Sequence, residues 1–173
     1  MLSILIIVGS GFPVFYFQKR VGKGGIDFDL IKFRTMNKDA EKNGLLTVGG
    51  KDSRITEVGF LLRKNKLDEL PQLFNVLFGS MSFVGPRPEV RKYVDLYNEE
   101  QKKILNVKPG ITDHASIEYF QESEMLAKSN DPEKTYINEI MPHKLELNKK
   151  YLSDPGPASD VNIILKTIGK IFS

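Results

Sequence analysis

The sequence contains no cysteine and only two histidines in 173 residues. The first absence excludes disulfides, thiolate zinc centres and cysteine nucleophiles, and suits a reducing, cytoplasmic environment. The second excludes a histidine-rich metal site; His114 and His143 stand apart and read as surface or turn residues. Excess charge of either sign is also lacking: 25 Lys and Arg face 22 Asp and Glu, a net +3. No nucleic-acid partner is therefore expected, and any polyanion binding must be local. A mean hydropathy of -0.26 excludes a multi-pass membrane protein. With 40% hydrophobic and 27% charged residues, the chain can build one ordinary core, and the expectation is a single domain over residues 1–173.

Charge is missing altogether from Met1 to Phe17, after which Gln18, Lys19 and Arg20 arrive together. A spanning helix needs roughly 20 apolar residues. Here Gly9, Gly11 and Pro13 interrupt the run and leave Met1 to Val8 as a helical piece of about 12 Å. No basic residues precede it and no cleavage point follows, so it is not a secretory signal. Two readings stand: a buried core segment, or an interfacial or re-entrant membrane element rimmed by Lys19 and Arg20.

Val14 to Phe17 and Ile26 to Phe33 predict two strands joined by Gly22-Lys23-Gly24-Gly25. Asn37 to Gly50 reads as a surface loop with one helical turn around Asp39 to Lys42. Val58, Leu61 and Leu62 predict a helix ending near Asn65. Leu67, Leu70, Leu73, Phe74 and Leu77 predict another that stops at Gly79. Further helical patterns occupy Val90 to Asn106 and Pro132 to Leu152, separated by a Pro109-Gly110 turn and a polar stretch from Gln121 to Asp131. Val161, Ile164, Leu165, Ile168 and Ile171 make the last helix amphipathic, with Lys166 and Lys170 opposite. The expected fold class is α/β (α+β): helix-rich, with a small hairpin or sheet and amphipathic surface helices.

The densest chemistry runs from Arg63 to Glu89. Asp68 and Glu69 are adjacent, and Pro71 is tolerated only in a helix's first turn, which predicts both acids at a helix N-terminus. Such acids either cap the helix, or hold a divalent cation and act as nucleophile or base in phosphoryl transfer. Arg63, Lys64 and Lys66 add positive charge upstream. In Gly85-Pro86-Arg87-Pro88 the flanking prolines fix the backbone, so the loop is either a rigid turn or a stiff mount for a phosphate-binding guanidinium. Lys32 and Arg34, two apart on a strand, either face an anion or lie on a solvated face. Asp27-Phe28-Asp29 alternates with apolar residues as a half-buried strand does, although a D-x-D pair can hold metal against a nucleotide-sugar diphosphate. No dinucleotide fingerprint, P-loop, H-E-x-x-H or G-x-S-x-G is present.

The run LDELPQLFNVLFGSMSFVGPRPE, with KFRTM upstream and VKPGIT downstream, closely resembles the bacterial sugar transferases known as monotopic phosphoglycosyl transferases. The resemblance is strong from about Val14 to Thr112 and looser to the C-terminus. It implies transfer of a sugar 1-phosphate from a UDP-sugar to a polyprenol phosphate such as undecaprenyl phosphate, releasing UMP. That is the first membrane step in assembling a polysaccharide, O-antigen or glycoprotein glycan. It further implies that Asp68 is the nucleophile forming an aspartyl phosphosugar and that Glu69 binds Mg²⁺. Arg87, Pro86 and Pro88 would belong to the nucleotide site, with Arg63, Lys32 and Arg34 near the phosphates. Residues 1–17 would be the remnant of a re-entrant membrane segment, placing the protein on the cytoplasmic face of the bacterial inner membrane; a homodimer is left open. Many relatives follow Gly110-Ile111-Thr112 with glycine and tryptophan, whereas Asp113, His114 and Ala115 stand here, and Tyr119 to Pro142 is unlike the shorter form. The alternatives are a metal-dependent glycosyltransferase releasing UDP through Asp27 and Asp29, or an inactive membrane-surface member of the fold.

Overall fold

A computed structural model of the chain describes residues 1–38, 40, 44–49, 52–153 and 155–172. The chain opens with helix α1 (Leu2–Ser10), ended by Gly11 at φ 73°. Strands β1 (Phe15–Val21) and β2 (Asp27–Phe33) pair antiparallel from Phe15 opposite Phe33 to Val21 opposite Asp27. The hairpin forms where expected, but β1 runs four residues beyond Phe17. The reason is cross-strand compensation: Lys19 meets its partner Asp29 at 3.0 Å, and Arg20 donates to Gln18 on the same face. The turn uses Gly24 and Gly25 at positive φ, which residues with a Cβ adopt at a cost. Of the helical turn expected at Asp39 to Lys42, residues 39, 41 and 42 lie outside the described residues.

Helix α2 (Glu57–Lys64) begins on Thr56, whose Oγ1 accepts the Gly59 N–H at 3.0 Å, and ends at Asn65 as its pattern predicts. It lies so close to the hairpin's exit that a Cβ on Gly59 would stand 2.0 Å from the Thr35 carbonyl oxygen. Lys66 then turns left-handed (φ 54°), a short 3₁₀ turn covers Leu67–Glu69, and helix α3 follows over Gln72–Leu77 with Pro71 as its N-cap. The acidic pair therefore sits in a separate turn ahead of the helix rather than in its first turn. Asn75 docks α3 on β2: its Oδ1 accepts the Ile31 N–H at 3.0 Å and its Nδ2 donates to the Asp29 carbonyl at 2.8 Å.

Strand β3 (Ser82–Val84) pairs parallel with β4 (Gly110–Thr112). Gly85 and Gly110 allow the two chains to cross, since a Cβ on Gly110 would stand 2.2 Å from the Gly85 nitrogen. Val90 to Asn106 does not form one helix. It divides into α4 (Arg91–Val94), α5 (Glu99–Lys102) and a 3₁₀ turn, because Asn98 closes a capping box with Gln101 and restarts the chain. After α6 (His114–Glu118), the polar stretch carries a helix of its own, α7 (Glu122–Ala127), anchored by the buried Leu126. Helices α8 (Pro132–Thr135) and α9 (Met141–Ser153) are joined by a π-helical turn at Tyr136–Ile140.

Val21, Tyr93, Tyr97, Ile104, Leu126 and Tyr136 are among the side chains of the principal core, so hairpin, α4 and α7–α9 share one interior. Helix α10 (Pro157–Ile171) packs on α6, β3 and β4 through Ile163, which is fully buried, and through Thr167, whose hydroxyl meets that of Thr112 at 2.6 Å. On the apolar face that carries Val161, Ile164, Leu165, Ile168 and Ile171, the side chains of Val161, Leu165 and Ile168 point outward, and Ile164 and Ile171 are half-buried. Large exposed apolar side chains also concentrate on α1 (Ile4, Leu5, Val8), α2 (Phe60, Leu61) and α3 (Phe74, Leu77). Among the described residues no helix is long and apolar enough to cross a membrane.

Candidate active site

A cavity of about 1300 Å³ opens between the hairpin, the α2–α3 corner and the α6–α9 side of the molecule. Asp68, Glu69, Lys32, Arg63, Lys66 and Arg87 line it. The structure thus brings together residues 32 to 87, which the sequence offered as separate motifs. The left-handed Lys66 and the 3₁₀ turn project both carboxylates toward the hairpin, where the last residues of β2 carry Lys32.

The two acids differ sharply. Glu69 is held by three donors: Arg87 Nη1 gives to Oε2 at 3.1 Å, Arg87 Nη2 gives to Oε1, and Lys32 Nζ gives to Oε1 at 3.2 Å. Burial pushes the Glu69 carboxyl up, but Arg87 and Lys32 outweigh it and hold the group well below the usual carboxylate range. Glu69 in turn raises Arg87. Asp68 is buried, and among the described residues its carboxylate accepts no hydrogen bond. Burial, reinforced by the neighbouring Glu69 charge, raises its pKa against the pull of Lys32, Arg63 and Lys66. Burial also lowers Lys32 and Arg63. Four cations around two carboxylates leave an excess of positive charge in a partly desolvated pocket, which is chemistry suited to a phosphate-bearing ligand.

Arg63 donates through Nε to Thr35 Oγ1 at 2.8 Å and through Nη1 to Thr47 Oγ1 at 3.1 Å, facing the cavity from α2. Arg34 also borders the cavity but is otherwise committed. Nε donates to the Pro13 carbonyl at 2.6 Å and Nη2 to the Ser10 and Gly11 carbonyls, so it ties the end of α1 to the hairpin. It lies just past the end of β2, which is why it does not share the environment of Lys32. Of the two prolines, Pro88 lines the cavity, whereas Pro86 faces a small void behind the loop. Asp27 pairs with Arg91, and Asp29 with Lys19, all four near half exposed or more and outside the cavity. The D-x-D pair is therefore committed to Arg91 of α4 and Lys19 of β1, away from the site.

Two acids, the half-buried Glu89 and the buried Asp113, escaped the sequence reading. Glu89 accepts from Arg20 at 3.1 Å, from the Val90 N–H at 2.7 Å and from the Tyr136 hydroxyl. Asp113 is fully buried beside Arg87. A cap signal, Asp113 three residues before Ser116, was legible; the contact with Arg87 was not.

Among the described residues no group of three or more Asp, Glu or His stands close enough to hold a metal by itself. A carboxylate has about four lone-pair positions, and the three donors on Glu69 leave one, on Oε2. That suits a Mg²⁺ held mainly by substrate phosphate and water, the usual habit of this ion.

The fold is that of a helix-rich α/β protein whose acidic pair lies in a cationic cavity with the charge to bind phosphate groups. The chain belongs to the bacterial sugar transferase family, which matches residues 1–173. It is 37% identical over 174 residues to a UDP-N-acetylgalactosamine-undecaprenyl-phosphate N-acetylgalactosaminephosphotransferase of Aeromonas hydrophila, covering 99% of this chain and 38% of that protein. It is 43% identical over 131 residues to a UDP-glucose:undecaprenyl-phosphate glucose-1-phosphate transferase of Xanthomonas campestris pv. campestris, covering 70% and 26%. The protein of that same description in Escherichia coli K12 is 33% identical over 180 residues, covering 99% and 35%. The chain thus spans well under half the length of these relatives, whose names specify different sugars.

Proposed function

We propose that this chain moves a sugar 1-phosphate from a UDP-sugar to a polyprenol phosphate, such as undecaprenyl phosphate, through a covalent aspartyl phosphosugar on Asp68. The observation that carries the reading is the asymmetry of the acidic pair: Glu69 is locked by Lys32 and Arg87, while Asp68 accepts no hydrogen bond among the described residues. A carboxylate relieved of donors and partly desolvated is the better nucleophile of the two.

In the first step an Asp68 carboxylate oxygen bonds to the phosphorus that bears the sugar, and the bond from that phosphorus to the bridging oxygen breaks. The bridging oxygen leaves on UMP with the electron pair. In the second step an oxygen of polyprenol phosphate attacks the same phosphorus and returns Asp68 as a free carboxylate. No net proton is consumed at Asp68. Lys32, Arg63 and Arg87 neutralise the diphosphate and hold it in line for attack. Arg87 has its backbone restricted by Pro86 and Pro88, and so loses less freedom on binding. Glu69 would hold Mg²⁺ through its remaining lone pair, and the ion when bound supplies further positive charge to the phosphates. Two successive steps let a water-soluble donor and a lipid acceptor use one site in turn.

The exposed apolar side chains of α1, α2, α3 and α10 support docking on a membrane surface, the cytoplasmic face of the bacterial inner membrane, with the active site beside it. The test is the intact mass of protein mixed with Mg²⁺ and a panel of UDP-sugars without lipid acceptor. Wild type is expected to gain one sugar phosphate and release UMP, and Asp68→Asn to do neither. Release of UDP with no adduct on wild type would overturn the reading.

A further inference from the structure

We propose that Asp113 is a positioning residue that holds the backbone of Arg87, and through it the guanidinium, in the orientation the donor's phosphates require. The inference rests on the role given to Arg87 above. Asp113 follows β4 directly, is fully buried, and is not among the residues lining the cavity, so it touches no substrate. Its two oxygens do different things. Oδ1 accepts the Ser116 N–H at 2.6 Å and caps α6. Oδ2 accepts the Arg87 N–H at 3.1 Å.

Capping needs a single acceptor, and serine or asparagine supplies it as well as aspartate. Burying a carboxylate costs free energy that a neutral cap avoids, so the cap alone does not account for an acid at this position. The second oxygen does. Within Pro86-Arg87-Pro88 the prolines have no N–H, and Arg87 carries the only main-chain donor of the tripeptide. The plane of the Pro86–Arg87 peptide is fixed from both ends: the Gly110 N–H gives to the Pro86 carbonyl at 3.1 Å, and the Arg87 N–H gives to Asp113. Two residues on, Arg20 Nη1 donates to the Pro88 carbonyl at 3.0 Å. Removing the Asp113 tether frees the Arg87 amide, and the guanidinium swings on a long side chain, so a small backbone rotation becomes an ångström-scale error at the phosphates.

Asp113→Asn separates the two duties. Asparagine caps α6 with Oδ1 and turns an amide donor toward the Arg87 N–H. Asp113→Ser keeps a capping oxygen and offers no second one, so it guards against a flipped asparagine. Two readouts are made on the whole chain: amide hydrogen exchange at Arg87 and Ser116, and the UDP-sugar concentration giving half-maximal adduct. In both variants Arg87 exchange is expected to accelerate about tenfold with Ser116 unchanged, the worth of one hydrogen bond to a charged group. The half-saturating UDP-sugar concentration should rise about tenfold, with the limiting rate of adduct formation much less affected. Unchanged Arg87 exchange would overturn the proposal. So would joint loss of protection at both amides, which marks a cap and nothing more, or a loosened Arg87 with unaltered donor saturation. If wild type itself forms no adduct, the proposed function fails on that result alone, while the exchange pair still decides whether Asp113 holds Arg87.

Discussion

Glu69 and Arg87 face each other fork to fork, both carboxylate oxygens accepting from both terminal guanidinium nitrogens, with Lys32 completing the set. The side chains keep only 18% and 29% of their exposure, so the pair is largely removed from solvent. Breaking it from the acid side leaves two cations without their partner. Glu69→Gln should therefore cost about 3 kcal/mol, toward the lower end for a severed buried pair. For a chain of this length that is a fall of about 6–12 °C in Tm. The pH dependence has a definite sign. Because the folded-state pKa of Glu69 is depressed, its contribution is full above the ordinary value of 4.5 and is lost as pH falls through the folded value. Unfolding in urea between pH 7 and pH 3 checks both statements. A variant as stable as wild type at pH 7 would mean the pair contributes nothing.

Asp68 should behave in the opposite way. Its folded-state pKa is raised, first by burial and then by Glu69. The ionised acid is thus a burden on the fold, absent below the ordinary value of 3.8 and fully present above the raised one. Asp68→Asn is expected to abolish turnover while raising stability at pH 7 by about 1 kcal/mol, a trade familiar at functional sites. The gain should shrink as pH falls toward 3.8. Parallel thermal melts of the two proteins at several pH values measure it, and a loss of stability at pH 7 would contradict the placement of Asp68.

The end of α2 near Asn65 and the existence of the hairpin were legible because local signals mark them: apolar residues at helical spacing, and β-branched and aromatic residues on either side of a glycine turn. Asp68, Glu69 and Arg87 were legible as unusual residues, and the structure adds what each touches. Less was legible where tertiary contacts override local pattern. Strand spacing left Arg34 to face an anion or solvent, and the family resemblance put it near the phosphates, yet the strand ends one residue earlier and the Ser10, Gly11 and Pro13 carbonyls claim the side chain. Asp113 looked like a departure from a family pattern, and only the crossing of β4 behind the Pro86–Pro88 loop shows its partner. On α10, periodicity marked Val161, Ile164, Leu165, Ile168 and Ile171 as one apolar face, whereas Ile163 and Thr167 make the inward contacts.

Two glycines in helices should respond to alanine with opposite signs. Gly59 in α2 has the Thr35 carbonyl oxygen 2.0 Å from where a Cβ would stand, and backbone cannot yield as a flexible side chain can. Gly59→Ala should destabilise by about 3 kcal/mol through overpacking. Gly169 in α10 has nothing within 4 Å of that position. Gly169→Ala should stabilise by about 0.5–1 kcal/mol by restricting the unfolded chain and improving helix propensity. Chemical denaturation of the two variants beside wild type settles both; equal effects would refute the close approach of α2 to Thr35.

If α10 lies on a lipid surface, its outward side chains carry the contact and its inward ones carry the fold. Leu165 and Ile168 are 63% and 46% exposed, while Ile163 is 0% exposed against α6 and β4. Moving one such apolar side chain from water into the acyl boundary contributes about 1.5–3 kcal/mol at full burial. Leu165→Gln with Ile168→Gln should thus lower partition into anionic vesicles at least about tenfold. The same double variant should leave Tm nearly unchanged, since neither side chain fills the core. Ile163→Gln should do the reverse, lowering Tm by burying an amide without a partner. Vesicle co-sedimentation and thermal melts on the same samples separate the two roles. Undiminished partition of the double variant would show that α10 is not the docking surface, and would leave α1, α2 and α3 to carry it.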